Sequence, residues 1–292
     1  MHSASRVVVF TDLDGSLLDH DTYSFAPAAA ALERLNRAGI PVVFAGSRTR
    51  RETEWLQQQT GIRGPFIAEN GAAVFVPQGY FRFSLHTGRQ VEGYDVLEFG
   101  RPYHEVVDAL RETVAKLRLP VLAFSDLSAL EVAELWGLPL TQARLAKLRE
   151  YDEPFRILDS APAARSRLLG GLRDRGLHCI RTERFDHLTG VAEKGLAVAE
   201  LRSWYERAFD GRVLTIGLGD SLNDLPLLQQ VDLPFIVQNH AAQATDRLLQ
   251  KVPTARVTNG HGPTGWAEAV EKGLAVLAAL VAPVGPQPQV VM

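Results

Sequence analysis

Short runs of β-branched and aromatic residues alternate with helical patterns at both ends of the chain, and this alternation restricts the fold more than any other feature. Val7 to Phe10, Val42 to Ala45, Val213 to Leu218 and Leu233 to Val237 read as buried strands. Pro27 to Ala38, Thr49 to Thr60, Leu222 to Gln230 and the segment from Gly265 read as helices. Such βαβ repetition predicts an α/β fold built on a parallel sheet covered on both faces. Gly39 and Gly61 stand where left-handed residues end helices, and Pro27 suits a first helical turn.

The pattern breaks in the middle. From Gln78 to Leu188 a helix marked by Tyr103, Val106, Val107, Leu110, Val114 and Leu117 is followed by the strand-like Pro120 to Phe124 and further mixed elements. The reading is an α+β insertion over residues 78–188 that splits one core made of 1–77 and 189–292. Glu69-Asn70-Gly71, between apolar runs, predicts a tight reversal just before it.

Two strand runs end in acid. Val7 to Phe10 leads into Asp12-Leu13-Asp14-Gly15, and Val213 to Leu218 leads into Gly219-Asp220-Ser221-Leu222-Asn223-Asp224. Ligands of open parallel sheets bind beyond the carboxyl ends of the strands, so both loops fall at the expected site. Several carboxylates gathered there raise one another's pKa, and a hard cation resolves the conflict. Magnesium fits, because it takes a few carboxylate oxygens and completes its octahedral shell with water and substrate phosphate. Asp12 and Asp220 are expected to be direct ligands, with the carbonyl of Asp14 as a third. Asn223 and Asp224 are expected to orient the site or its water.

Val42 to Ala45 ends in Gly46-Ser47, which places the Ser47 hydroxyl and a helix start where they can hold phosphate. Lys194 opens the first helix after the insertion and would set one cation against phosphate and carboxylates.

The remaining composition narrows the partners. A formal net charge of −3 over 292 residues leaves no basic surplus for a nucleic acid or an anionic membrane, so a small ligand is expected. No apolar run is long enough to span a bilayer, Leu274 to Ala282 reading instead as a terminal helix, and the N-terminus lacks a signal-peptide pattern. Cys179 is the only cysteine, which excludes an internal disulfide and fits a reducing cytoplasm. Leu177 to Ile180 reads as a short buried strand, making Cys179 an inert core thiol.

Asp12-Leu13-Asp14-Gly15-Ser16, Ser47, Lys194 and Gly219 to Asp224, in this order, resemble the four motifs of the haloacid dehalogenase (HAD) superfamily. The resemblance implies a Rossmann-like parallel-sheet core, and the insertion resembles its type IIB cap. Phe10 to Asp21 with Tyr23, Pro65 to Gly71, Arg149 to Phe155, Arg184 to Leu188 and Gly262 to Trp266 resemble, more narrowly, the mannosyl-3-phosphoglycerate phosphatases. What this implies is a phosphatase using magnesium, with Asp12 as nucleophile, Asp14 as acid and base, and Ser47 and Lys194 on the phosphoryl oxygens. Arg184, Arg149 and Arg48 become candidates for the glycerate carboxylate and phosphate, and Glu69, Asn70 and His187 for sugar hydroxyls. Tyr23 and Trp266 read equally well as packing. Thr182 and Glu183 stand where that family more often has glycines, so a glucosyl or other sugar phosphate is the competing substrate. A phosphomutase of the same fold and a catalytically silent sensor of a phosphorylated metabolite are the competing activities.

Overall fold

The computed structural model describes residues 6–159, 161–182 and 185–281. In the first part of the chain β1 (Val7–Thr11), α1 (Ala29–Arg37), β2 (Val42–Phe44), α2 (Arg50–Thr60), β3 (Phe66–Ala68) and β4 (Ala73–Pro77) follow one another. Next come β5 (Arg89–Val91), β6 (Tyr94–Glu98), α3 (Tyr103–Leu117), β7 (Val121–Ala123), α4 (Ala129–Trp136) and α5 (Leu140–Ala146). They are followed by β8 (Glu153–Ile157), α6 (Pro162–Arg173), β9 (His178–Arg181) and β10 (Asp186–Thr189). The last part holds α7 (Lys194–Ala208), β11 (Leu214–Gly219), α8 (Leu225–Leu228), β12 (Leu233–Gln238), α9 (Ala242–Lys251), β13 (Arg256–His261) and α10 (Gly262–Val281).

The β-branched runs form a five-stranded parallel sheet in the order β13-β12-β11-β1-β2. Every residue of β1 is buried, as expected for a central strand covered on both faces. One face packs Val7, Val9, Phe44, Ile216 and Phe235 against α1 and α10, and the other packs Val8, Phe10, Val43 and Ile236 against α7 and α8. The chain moves outward from β1 to β2 on one side and from β11 to β12 on the other. The crevice between β1 and β11 is therefore the topological switch point, and both acidic loops leave the sheet there.

Two antiparallel sheets account for the change of pattern. The first, β3-β4-β6-β5, grows from a reversal at Glu69–Gly71, whose residues have φ of 48°, 60° and 95°. Pairing of β4 with β6 runs from Ala73 opposite Glu98 to Pro77 opposite Tyr94, so the strand ladder crosses residue 78. The second sheet, β7-β8-β10-β9, is backed by α3 and α6. Strand periodicity divides its faces: Phe155 and Leu188 lie in the core under those helices, while Pro154 and His187, paired across β8 and β10, line the cleft. Together the parallel sheet and the antiparallel insertion give the Rossmann-like core and α+β cap that the resemblance implied.

Several boundaries differ from the sequence reading. Proline at the start of Pro27 to Ala38 shapes a 3-10 turn, Ala26–Ala28, before α1 begins. Leu222 to Gln230 is likewise a 3-10 turn, Leu222–Asp224, followed by the short α8. β9 is an edge strand, and Cys179 is only partly buried rather than fully enclosed. The sequence reading passed over α9, which packs beside β12, and β13, whose mixed polarity gives no clean period and which completes the sheet's far edge. Of the expected terminal helix, Leu274 to Val281 lie in α10, and Ala282 falls outside the described residues.

Candidate active site

Asp12 follows β1 directly and is 4% exposed. Its backbone N–H donates to the Leu218 carbonyl at 2.9 Å, tying the first acidic loop to the end of β11. Behind it the buried Trp266 indole N–H donates to Thr11 Oγ1 at 2.7 Å, and Thr11 Oγ1 donates to the Asp12 carbonyl at 2.6 Å. Trp266 is thus core packing that also steadies the loop.

Lys194, the first residue of α7, is 1% exposed. Its ammonium donates to Asp12 Oδ1 at 2.6 Å and to Asp224 Oδ1 at 2.7 Å. Asp224 Oδ2 accepts the N–H groups of Asp220 and Ser221 at 3.0 and 3.1 Å, so Asp224 is engaged on both oxygens. Asp220 accepts from Ser16 Oγ at 3.2 Å and from Asn239 Nδ2 at 2.5 Å. Gly15 permits this approach, since it sits at φ 83° and a Cβ there would lie 2.7 Å from an Asp220 oxygen.

Asp12, Asp220 and Asp224 each present an oxygen within 4.8 Å of the others. Burial, then the neighbouring Asp224, pushes the Asp12 carboxyl up to about 8, against the pull of Lys194. Burial, then the neighbouring Asp224 and Asp12, push Asp220 well above the carboxylate range. The ammonium is raised above its usual value by Asp12 and Asp224 despite its burial. One lysine against three buried acids leaves a deficit of positive charge, and an all-oxygen donor set of this kind suits a hard divalent cation.

Asp14 points elsewhere. Its carboxylate takes Arg48 Nη2 at 2.6 Å and Arg48 Nε at 3.2 Å. Arg48, itself buried, also lies 3.8 Å from Glu52 and over the Tyr23 ring, and the Tyr23 hydroxyl donates across to the Trp136 carbonyl at 3.3 Å. Ser47 and Asn223 line the same cleft, with Asn223 Oδ1 accepting from Ser221 Oγ.

The cleft has a volume of about 440 Å³ and runs from Asp12, Asp14 and Asp220 to a wall contributed by the insertion. That wall includes Phe124, Val132, Trp136, Leu138, Phe185 and Arg181. Trp136 stacks on Phe185 with centroids 4.1 Å apart. His187 reaches the cleft while its Nδ1 lies 3.1 Å from Asp152 Oδ2.

The other anticipated contacts are placed differently. Glu69 is fully buried and off the cleft, its carboxylate accepting the N–H groups of Glu150, Tyr151 and Asp152 at 2.8, 2.9 and 2.8 Å. Asn70 Nδ2 donates to Asp152 Oδ2 at 3.0 Å. Arg149 borders the cleft, but its guanidinium is held by Asp152 and by the Ser47 carbonyl. Arg184 lies outside the described residues. Asn239, Asp152 and Arg181 are site neighbours that sequence reasoning missed. Asn239 was within reach, since it follows β12 at the same sheet edge as the acids.

A parallel sheet with acids and a buried lysine at its switch point, closed over by an α+β insertion, defines a capped Rossmann-like hydrolase. The haloacid dehalogenase-like hydrolase family matches residues 9–86. A glucosyl-3-phosphoglycerate/mannosyl-3-phosphoglycerate phosphatase of Methanococcoides burtonii is 39% identical over 90% of this chain and 95% of its own. One of the same description from Persephonella marina is 36% identical over 90% and 96%. A solved structure from Thermoplasma acidophilum superposes with a TM-score of 0.64 at 19% identity, covering 94% of this chain and 99% of that one. The chain belongs to the haloacid dehalogenase-like hydrolases and is a phosphatase, a phosphoric monoester hydrolase.

Proposed function

We propose that the protein hydrolyses mannosyl-3-phosphoglycerate to mannosylglycerate and phosphate through an aspartyl-phosphate on Asp12, with magnesium as cofactor. The chemistry rests on one observation above all: three buried carboxylates, Asp12, Asp220 and Asp224, cluster with a single lysine, which pairs with Asp12 and Asp224. The substrate rests on the two relatives, whose names carry both the glucosyl and the mannosyl ester. Glucosyl-3-phosphoglycerate is therefore the second substrate to test.

Asp12 Oδ attacks phosphorus in line as the C3 oxygen of the glycerate departs, and water then attacks the acyl phosphate to release inorganic phosphate. Asp14 gives its proton to the departing alkoxide and takes one back from that water. In the free enzyme Arg48 holds the Asp14 carboxylate, so a productive complex requires this pair to rearrange. Lys194 and the Ser47 hydroxyl stabilise the equatorial oxygens. Asp12, Asp220 and the Asp14 carbonyl would hold magnesium, while Asp224 and Asn223 orient the loop. When bound, the ion supplies Lewis-acid stabilisation of phosphoryl charge and offsets repulsion among the acids.

The division into a core of 1–77 with 189–292 and a cap of 78–188 belongs to the same proposal. It is supported by the separate sheet β7-β8-β10-β9 and its own core under α3 and α6, while the sheet β3-β4-β6-β5 spans residue 78 and joins the two parts. Arg184 and Arg48 remain candidates for the substrate's anionic groups, and His187 for a sugar hydroxyl, whereas Arg149 is committed to the Ser47 carbonyl and Asp152. No described helix is long and apolar enough to cross a membrane, in keeping with a small phosphorylated sugar as partner. Location in the cytoplasm is part of this proposal and is supported by the single cysteine.

Phosphate release from a substrate panel tests the assignment. Both glycosyl-3-phosphoglycerates should exceed free 3-phosphoglycerate and simple hexose phosphates in kcat/KM, because remote contacts align the reacting phosphate. Faster turnover of hexose phosphates would overturn the substrate while leaving a phosphatase. A phosphate that migrates to another hydroxyl of the sugar would indicate a mutase.

A further inference from the structure

The loop Gly46-Ser47-Arg48, which the proposed mechanism places against phosphate, is tied down from behind at three consecutive carbonyls. Gly46 O accepts the Asn70 N–H at 2.9 Å, and Arg48 O accepts the Glu69 N–H at 3.0 Å. Between them, Ser47 O accepts Arg149 Nη2 at 2.9 Å. The first two donors come from the reversal after β3, where Glu69 and Asn70 hold left-handed backbone, a conformation disfavoured for residues with a side chain. The third comes from the insertion. The N–H groups of Ser47 and Arg48 have no acceptor among the described residues. A loop with its carbonyls drawn back and amides left over is polarised as an anion cradle.

Arg149 is the one donor in this set from the insertion, and its geometry is closely determined. Its side chain is 4% exposed, its Nε donates to the Asp152 carbonyl at 2.8 Å, and it pairs with the Asp152 carboxylate and, at 3.7 Å, with Glu69. Glu69 in turn accepts the backbone of residues 150–152. Asp152 also holds Asn70 and His187, and His187 lines the cleft. A continuous buried hydrogen-bonded path therefore joins the cleft wall of the insertion to the back of the Ser47 loop.

We propose that Arg149 is a positioning residue, which makes the geometry of the phosphate loop depend on the docking of the insertion onto the core. It acts through the Ser47 carbonyl and does not grip the substrate. Its fork serves Ser47, Asp152 and Glu69 at once, a task that the single ammonium of lysine cannot reproduce. This inference rests on the phosphatase reading above.

Arg149→Lys and Arg149→Ala are compared with the unsubstituted protein on mannosyl-3-phosphoglycerate and on p-nitrophenyl phosphate, a small ester without glycerate or sugar. The expected result is a fall in kcat on the order of a hundredfold on both esters with KM little changed, the scale of a misplaced reacting group. Added guanidinium should restore part of the Arg149→Ala activity. A rise in KM for the glycosyl ester alone, with p-nitrophenyl phosphate turned over normally, would make Arg149 a substrate ligand and overturn the proposal. If Arg149→Ala fails to fold, the lysine variant decides: folded by circular dichroism with undiminished kcat, it contradicts the proposal. Should the unsubstituted protein hydrolyse only the small ester, the substrate reading alone fails, and the Arg149 comparison is made on that ester.

Discussion

Asp12 and Asp14 stand two residues apart but occupy different surroundings, and that difference underlies the separate tasks proposed for them. Asp12 is enclosed with Lys194 and two further acids, whereas Asp14 is partly exposed and paired with Arg48. Asp14→Asn should therefore leave magnesium affinity intact, measured by calorimetry, while lowering kcat by roughly 10²–10⁴, the range for a lost general acid and base. A variant with full activity would remove Asp14 from the mechanism. At Cys179 burial, reinforced by Asp186, pushes the thiol up to about 12. Folding thus favours the protonated form, and at pH 8 roughly one molecule in ten thousand carries the reactive thiolate. Disulfide reagents should label the native protein far more slowly than the urea-unfolded chain, with the rate rising as pH approaches 12; equal rates would contradict this environment. The acids were legible in the sequence because strand ends announce them, and Lys194 because it opens the first helix after the insertion. Glu69 and Asn70 were read as candidates for sugar hydroxyls, since spacing along the chain does not reveal that the amides of residues 150–152 take the Glu69 carboxylate and Asp152 takes Asn70 Nδ2.

At the scale of elements, the strand-end rule located the site because β1, β2 and β11 are short, largely apolar runs whose next residues must emerge at one edge of the sheet. The same rule carried one strand further would have found Asn239. Elements β5, β6 and β13 are mixed in polarity and partly exposed, so no clean period marks them. Helix α2 shows how an element start supports the site. Thr49 and Glu52 form a reciprocal capping box, with Glu52 N–H donating to Thr49 Oγ1 at 3.1 Å and Thr49 N–H donating to Glu52 Oε2 at 2.9 Å. Thr49 Oγ1 also donates to the carbonyl of Leu145 in α5 at 3.1 Å. Thr49→Ala should cost about 1–2 kcal/mol in urea unfolding, as for other lost N-caps. Unchanged stability would show that the box contributes nothing.

Across the whole molecule, the core supplies the carboxylates and the lysine, and the insertion supplies the apolar wall and the buried Arg149 path. Gly71 brings the two core segments together closely: at φ 95°, a Cβ there would meet the backbone of Glu193 at 2.4 Å, immediately before Lys194. The class of fold was legible because alternation of strands and helices requires it; the mutual placement of core and insertion was not, since it depends on contacts between residues 80 or more apart, such as Glu69 with Glu150. The proposed metal dependence belongs to the assembled site, where three buried carboxylates meet. Activity should disappear with chelator and return with magnesium, and calcium, with its larger and less regular coordination, should restore little. Full turnover by metal-free protein would remove the ion from the account. The most direct test of the central claim, covalent transfer to Asp12, is a single turnover with ³²P-labelled mannosyl-3-phosphoglycerate, quenched in acid and mapped by peptide. The label should reside on the peptide that contains Asp12 and be absent from Asp12→Asn; label on any other peptide, or undiminished phosphate release by Asp12→Asn, would contradict it.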